Sequence, residues 1–169
     1  SPKPPLDLNG LVREFLSSPE FLELRKAHPH VSVETDLEDN LARINGSALH
    51  IRKALMNLVA NAAEAVIGAG AIRIRSGRRT LTEPHSGYTE IPPGNYAVLT
   101  VSDTGGGISQ EDLGQIFQPF YTRKMMGRSG TGLGLTVVWN TVQDHDGYID
   151  VTNGPEGAVF RMYFETTQA

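Results

Sequence analysis

Apolar positions along this 169-residue chain follow two rhythms, one of helices and one of strands. Between Ser47 and Ile67, residues Ile51, Leu55, Leu58, Val59, Ala62 and Val66 recur at the three-and-four spacing of a single helical face. Ser47 supplies a capping hydroxyl, and Gly68 and Gly70 end the run, so the pattern predicts a long helix from Ser47 to about Ile67. A second, polar stripe of Lys53, Asn57, Asn61 and Glu64 runs along the same helix. A broken helix is expected over Leu6–Leu24, divided at Ser18-Pro19, where a hydroxyl cap precedes a proline suited to the first helical position. Thr131–Asp144 returns to helix.

Two-residue alternation marks Val31–Thr35 as a half-buried strand; Ile72–Arg75 and Tyr96–Val101 also read as strands, and Gly147–Thr152 and Ala158–Phe164 as a hairpin around Asn153-Gly154-Pro155. Leu41–Ile44 is expected to neighbour the first strand, closed by a turn at Asn45-Gly46. Glu83–Gly94 holds three prolines and two glycines, the composition of a hairpin excursion or loop. Residues 104–130 read as a long loop with one short helical turn, and a loop of that length in a compact domain is a lid or is disordered. Its Ile116, Phe117, Phe120 and Tyr121 form an apolar patch, either a lid anchor or a docking surface.

Composition narrows the class. A hydrophobic share of 39% with 20% charged residues belongs to a folded domain with a full core. A formal charge of -4 offers no broad basic surface and so gives nonspecific nucleic-acid binding no support. The absence of cysteine excludes disulfides and thiolate metal sites and fits a reducing, cytoplasmic compartment. No apolar run approaches the roughly 20 residues needed to cross a bilayer. Ser1-Pro2-Lys3-Pro4-Pro5 lacks the apolar core of a signal peptide and reads as a linker. Residues 1–27 are therefore expected to be linker and helical segment, and 28–169 the domain proper, within a longer protein.

Three ordered segments carry the chemistry. In Asn57-Leu-Val-Ala-Asn61-Ala-Ala-Glu64 the asparagines lie four apart, so both amides project from one helical face. An amide oxygen is a hard ligand suited to Mg2+, and Glu64 is placed to bind a metal-held water or a lysine; capping a neighbouring loop is the plainer use of such asparagines. Asp103-Thr-Gly-Gly-Gly107 follows an apolar strand. A carboxylate buried there needs a partner, and the amino group of adenine is one. Gly105 and Gly107 permit close approach of a flat base or positive φ, although an ordinary turn uses the same residues. Gly130-Thr131-Gly132-Leu133-Gly134-Leu135 opens a helix, where free N–H groups and the positive dipole end attract phosphate. It lacks the Gly-Lys-Ser/Thr ending of a Walker A loop, and its third glycine comes one residue early for the dinucleotide fingerprint. Arg123, Lys124 and Arg128 just before it are placed to meet outer phosphates or to form a solvated cluster. The five histidines show no metal-ligand spacing and are read as surface or structural residues.

The order of these segments resembles the GHKL ATPase superfamily with its Bergerat fold, and within it the catalytic and ATP-binding domain of sensor histidine kinases. Leu55–Ala65 is similar to the N box, Asp103–Ile108 to the G1 box, Ile116-Phe-Gln-Pro-Phe-Tyr121 to the F box and Gly130–Leu135 to the G2 box. The resemblance spans about residues 40–165. It implies an α+β, two-layer sandwich with a mixed, mostly antiparallel sheet, helices on one face and a lid at about 109–130. It further implies ATP and Mg2+ as ligands, Asn61 with Asn57 at the metal, Asp103 at the adenine amino group, Gly105 and Gly107 at the base and Gly132 and Gly134 at the phosphates. Lys124 would face the γ-phosphate.

ATP-hydrolysing branches of the superfamily resemble one another in carrying a glutamate general base four residues before the metal asparagine. Here that residue is Asn57, a poor proton acceptor, which favours phosphotransfer over hydrolysis. No His-Glu or His-Asp-x-x-x-Pro phosphoacceptor element occurs in the chain, and His145-Asp146 lies beyond the G2 box. The acceptor histidine and dimerisation helices are thus expected outside it, with a response-regulator receiver domain as the next partner. The expected full-length protein is a homodimeric protein-histidine kinase of a two-component system, and the isolated domain a monomer. A serine kinase of the anti-sigma-factor type and a nucleotide-binding pseudokinase scaffold are the alternatives.

Overall fold

A computed structural model of the chain describes residues 3–118 and 133–167. It opens with a two-residue strand, β1 (Pro5–Leu6), followed by helices α1 (Leu8–Leu16) and α2 (Pro19–Ala27). The break between them lies at Ser18, as expected. Its hydroxyl accepts from the Phe21 N–H at 3.2 Å and donates to the Phe15 carbonyl at 2.7 Å, so one side chain closes α1 and starts α2. Strand β2 (Val31–Leu37) and the two-residue β3 (Ile44–Asn45) precede the long helix α3 (Ala48–Ala65). Ser47 caps it through the His50 N–H.

Strand β4 (Gly70–Leu81) leads into an arm with two short strands, β5 (His85–Ser86) and β6 (Glu90–Ile91), and returns along β7 (Gly94–Asp103). After the four-residue helix α4 (Gln110–Leu113) come α5 (Leu133–Asp144), β8 (Tyr148–Asn153) and β9 (Ala158–Glu165). Five strands join in the order β2-β4-β7-β9-β8. Only β2 and β4 run parallel; the other three pairings are antiparallel, as the mixed sheet required. The helical crossover through α3 explains the parallel pair, since a strand returning beside its predecessor in the same direction needs such a connection.

Alternation along the strands divides the two faces. Ile72, Ile74, Leu99, Val101, Phe160 and Met162 meet Leu55, Leu58, Val59 and Ala62 of α3 and Val138 and Val142 of α5 in one core. Leu8, Leu11, Val12 and Phe15 of α1 belong to that same core. Their neighbours Tyr96, Val98 and Tyr163 point the other way and pack under Ile91 of the arm. Buried polar groups are mostly satisfied. Asn9 on α1 donates to the Glu38 carbonyl at 2.7 Å and accepts from the Ser76 hydroxyl at 2.5 Å.

Two expectations are corrected. Residues Leu41–Ile44 do not pair with β2; Ile44 and Asn45 pair antiparallel with β1, while β2 takes β4 as its neighbour. Pairing is decided by which partner completes the sheet over the core, and the short run at 41–44 carried no information on that. Helix α3 also ends at Ala65, short of Ile67: Val66 turns extended and buried, and Ile67 is left 95% exposed.

His145 ties the start of α3 to the end of α5. Its Nε2 accepts from the Ser47 N–H at 3.0 Å and its Nδ1 donates to the Thr141 carbonyl at 2.8 Å, an arrangement only the neutral, Nδ1-protonated ring can satisfy. Burial holds its pKa below the ordinary value of 6.5, against a raising contribution from the Thr141 carbonyl. A base whose pKa is lowered by folding stabilises the fold above its unfolded pKa and loses that contribution as pH falls through the folded one. Urea midpoints should therefore decline below about pH 6.5, and His145→Gln, whose amide oxygen still accepts from Ser47, should flatten that decline. Parallel pH profiles for the two proteins would remove His145 as the cause.

Candidate functional site

The C-terminal end of α3 and the end of β7 with its glycine loop meet at one end of the helical layer, and α5 packs beside α3. On α3, Asn57 and Glu64 are half-buried and Lys53 is exposed. Asn61 is only 1% exposed, and among the described residues neither its Oδ1 nor its Nδ2 has a hydrogen-bond partner. An amide left in this state costs about 1–3 kcal/mol. A position on this helix that buries a side chain so deeply would ordinarily hold leucine or alanine.

Asp103 closes β7 at 5% exposure, and the Gly105 N–H donates to its Oδ1 at 2.8 Å. The next residue, Thr104, is fastened to the start of β4: its hydroxyl accepts from the Ala71 N–H at 3.0 Å, and its own N–H donates to the Ala71 carbonyl at 3.2 Å. A β-carbon at Gly105 would stand 2.6 Å from the Ala65 carbonyl oxygen, so glycine here lets the loop press onto the last turn of α3. Gly106 and Gly107 both take positive φ, +89° and +88°. At Gly107 the added atom would also meet Asn153 Oδ1 at 2.6 Å.

Two residues of the β8–β9 hairpin complete this wall and escaped the sequence reading. Asn153 grips Ile108 at both backbone atoms, accepting from its N–H at 2.8 Å and donating to its carbonyl at 2.6 Å. Gly157 lies so close to Asp103 that a β-carbon would fall 2.6 Å from the carboxylate Oδ1 and 2.8 Å from the Gly105 nitrogen. In the sequence Asn153 belongs to the turn Asn153-Gly154-Pro155, which accounted for it, and Gly157 merely follows that turn. Only the fold brings that turn against the Asp103 loop.

Beyond the loop, Ser109 caps α4, and Ile116 and Phe117 are buried in the main core. Leu133 and Gly134 begin α5. Phe120, Tyr121, Arg123, Lys124, Arg128, Gly130, Thr131 and Gly132 lie outside the described residues. A cavity of about 560 Å³ between α1, α2 and the first half of α3 reaches Lys53 but none of Asn57, Asn61 or Asp103. Its lining joins apolar Leu11, Phe15, Leu49 and Met56 to Arg52 and Lys53, which stand beside Glu14 and Glu20. Buried Asn61 and Asp103, rather than this cavity, carry the chemistry expected of the site. Among the described residues no helix is long and apolar enough to cross a membrane.

A two-layer sandwich whose helix carries paired asparagines beside a buried strand-end carboxylate and a glycine loop defines an ATP-binding protein of the GHKL type. Residues 46–168 match the family described as histidine kinase-, DNA gyrase B- and HSP90-like ATPase, and the chain belongs to that family. It is 32% identical to the sensory histidine kinase/phosphatase NtrB of Rhodobacter capsulatus, over 79% of this chain and 36% of that protein. Identity to sporulation kinase A of Bacillus subtilis is also 32%, over 94% of this chain and 23% of that one. Among solved structures, the catalytic domain of histidine kinase ThkA superposes with a TM-score of 0.75 at 26% identity, covering 98% of this chain and 96% of that one. The histidine kinase domain of the E. coli osmosensor EnvZ superposes at 0.66 with 27% identity, covering 100% of this chain and 92% of the other. This chain spans about a third or less of the length of the curated relatives just named, whereas it spans nearly all of the ThkA catalytic domain.

Gly157→Ala should act on the pocket through this crowding. Forcing a methyl group against the Asp103 carboxylate and the Gly105 nitrogen is expected to destabilise the fold by about 1–3 kcal/mol and to weaken adenine-nucleotide binding about tenfold or more, by misplacing both groups. Calorimetry with ATP and a urea titration check this; an alanine variant that binds like the wild type would show that the wall has slack.

Proposed function

We propose that this chain binds Mg2+ and ATP and donates the γ-phosphate to a histidine on a dimerisation and phosphoacceptor domain outside it, in two-component signal transduction. The observation that carries this reading is Asn61, a buried amide with neither polar atom partnered among the described residues, one helical turn beyond Asn57. Its oxygen suits a hard cation, so the residues present fit the metal. Asn61 would hold it through Oδ1, with Asn57 assisting, and the remaining positions would go to water and phosphate oxygens. When bound, the cation would neutralise phosphate charge as it develops during transfer.

Asp103 would accept from the adenine amino group through the carboxylate whose Oδ1 already takes the Gly105 N–H, while Gly105 and Gly107 leave room for the ring. Backbone N–H groups from Gly130, Thr131, Gly132, Leu133 and Gly134, at or before the start of α5, would receive phosphate. Arg123, Lys124 and Arg128 would counter its outer charge, Lys124 at the γ-phosphate, and Glu64 would hold a metal-bound water. No glutamate stands at position 57 to activate water, so the pocket would protect the γ-phosphate until an imidazole arrives in line. Catalysis would then rest on positioning and charge neutralisation.

The sensor kinases to which the chain is similar support a histidine acceptor over a serine. Residues 28–169 would form the ATP-binding domain, with its lid at about 109–130, and residues 1–27 would lead to the dimerisation helices. In the full-length homodimer the phosphoryl group would pass on to a receiver domain in the cytoplasm, whether or not the protein is anchored to a membrane.

The isolated chain should bind ATP with Mg2+ and hydrolyse it very slowly, and Asp103→Asn should weaken ATP binding by about tenfold or more, since an amide opposes a donor to the adenine amino group. Rapid steady-state ATPase turnover, or calorimetric affinity unchanged in the variant, would contradict the assignment. A chain that binds no adenine nucleotide at all would instead fit a scaffold.

A further inference from the structure

The face of the sheet turned away from α3 and α5 is only partly covered. Tyr96, Val98 and Tyr163 on that face pack with Ile91 of the arm, and His85 of the arm reaches Asp150 of β8 at 3.5 Å. Beyond Val98 and Tyr163 the rows of side chains turn mostly polar. Register sets Arg75 of β4 beside Thr100 of β7, and Thr100 beside Arg161 of β9. One row further, Arg73 stands beside Ser102. Adjacent strands lie about 4.8 Å apart, so Arg75 and Arg161 flank Thr100 on the same face. These residues line a cavity of about 500 Å³, closed at one end by residues 152–157 of the β8–β9 hairpin.

Three arginines and two carboxylates line the cavity, and both carboxylates are already engaged. Glu156 accepts from Arg73 at 3.3 Å, and Asp103 is buried with the Gly105 N–H on Oδ1. Arg73 also donates to Glu34, at 3.4 Å. Arg161 commits Nη1 to the Thr152 hydroxyl at 3.2 Å and to the buried Asp150 carboxylate at 3.6 Å, which leaves its Nε and Nη2 without a partner among the described residues. Arg75 is exposed. Among the described residues neither it nor the Thr100 and Ser102 hydroxyls make a side-chain hydrogen bond or ion pair, and Asp36, its neighbour on β2, is not paired with it. Two guanidinium groups flanking a free hydroxyl form the donor set of a phosphate, whose oxygens a planar fork meets two at a time. The volume exceeds what a bare phosphate fills and lies within the range of sites for small organic ligands, roughly 300–1,000 Å³. Thr152 and the hairpin backbone at the far end are polar, so the rest of that ligand bears hydroxyl groups.

We propose that this cavity is a second ligand site, for a small hydroxyl-bearing phosphomonoester. Its phosphate is held between Arg75 and Arg161 against the Thr100 hydroxyl, with Ser102 and Arg73 beside it, and its organic body lies toward residues 152–157. The site goes beyond the nucleotide reading and does not depend on it. Asn61 and the contact of the Gly105 loop with Ala65 belong to the helical side of the sheet, whereas the arginines leave its opposite face. Asp103 and Gly157, at the edge of the cavity, are the wall between the two.

Amide NMR spectra of the whole chain, titrated with glucose 6-phosphate, inorganic phosphate and potassium chloride at matched ionic strength, test this. Glucose 6-phosphate should shift the amides of Arg75, Thr100, Ser102 and Arg161 saturably and bind more tightly than inorganic phosphate, while the chloride leaves them in place. Arg75→Gln, at an exposed and unpaired position, should weaken binding about tenfold or more, the scale of one lost charge-assisted bond. Thr100→Val should weaken it several-fold. Arg78→Gln, an equal loss of charge outside the cavity, should stay within about twofold of the wild type. Shifts that chloride reproduces, equal losses in Arg75→Gln and Arg78→Gln, or no saturable shift with either phosphate would overturn the site. Inorganic phosphate that binds as tightly as the sugar phosphate would overturn the phosphomonoester in favour of the free ion. Displacement by ADP with Mg2+ would assign the phosphate to the nucleotide end and overturn a second site. A chain that binds glucose 6-phosphate at these residues but no ADP would contradict the nucleotide reading and leave this site standing.

Discussion

Burying an amide that no described neighbour satisfies is the constraint around which this domain is arranged. Asn9 shows the ordinary solution: nearly as deeply buried, it is bonded at both amide atoms. Asn61, with 1% exposure, is bonded among the described residues at neither. A cost of about 1–3 kcal/mol is large in a domain whose net stability is typically about 5–15 kcal/mol. The fold tolerates it because α3 is held along its whole length. Its apolar stripe lies on the sheet, His145 bonds Ser47 before its first turn, and the Gly105 loop presses on Ala65 at its last. A helix fixed at both ends aims Asn61 in one direction, the precision that the proposed metal role calls for.

The wall beside that helix depends on missing side chains. Gly105, Gly107 and Gly157 each stand where a β-carbon would collide with a neighbour, and together they let the β7 loop, α3 and the β8–β9 hairpin close around one carboxylate. Asp103 is thereby buried with the Gly105 N–H on Oδ1. The sheet separates this chemistry from a second, smaller core on its other face, where the arm covers Tyr96 and Tyr163. Tyr88 links the two sides, since the arm that covers one face also carries it against Phe117 and Trp139 at the main core.

What could be read from the sequence was whatever local physics decides. Ser18 and Ser47 cap helices because a hydroxyl before a helical run has few other uses, and the apolar stripe of α3 announces its buried face. Pairing was less accessible. The assignment of Leu41–Ile44 to β2 failed because two extended residues fit any available edge, and β1 proved to be that edge. The end of α3 was misplaced by two residues because Gly68 and Gly70 were taken as the stop, whereas the chain already turns at Val66 beneath the Gly105 loop. Asn153 was passed over since a hairpin turn explained it locally, Gly157 since nothing beside it in the sequence singled it out, and Tyr88 since a proline-rich excursion gave no hint of where its tip would land. Each of these depends on contacts between residues tens of positions apart.

The most direct test of the account is the thermal stability of Asn61→Leu with and without Mg2+ and ATP. Replacing an unpartnered amide by an apolar side chain should raise the melting temperature of the free protein by roughly 2–4 °C per kcal/mol recovered. The nucleotide and metal should then add little, while they stabilise the wild type clearly. A variant that melts below the wild type when free, or that gains as much from Mg2+ and ATP, would show that Asn61 is not held in reserve for the metal.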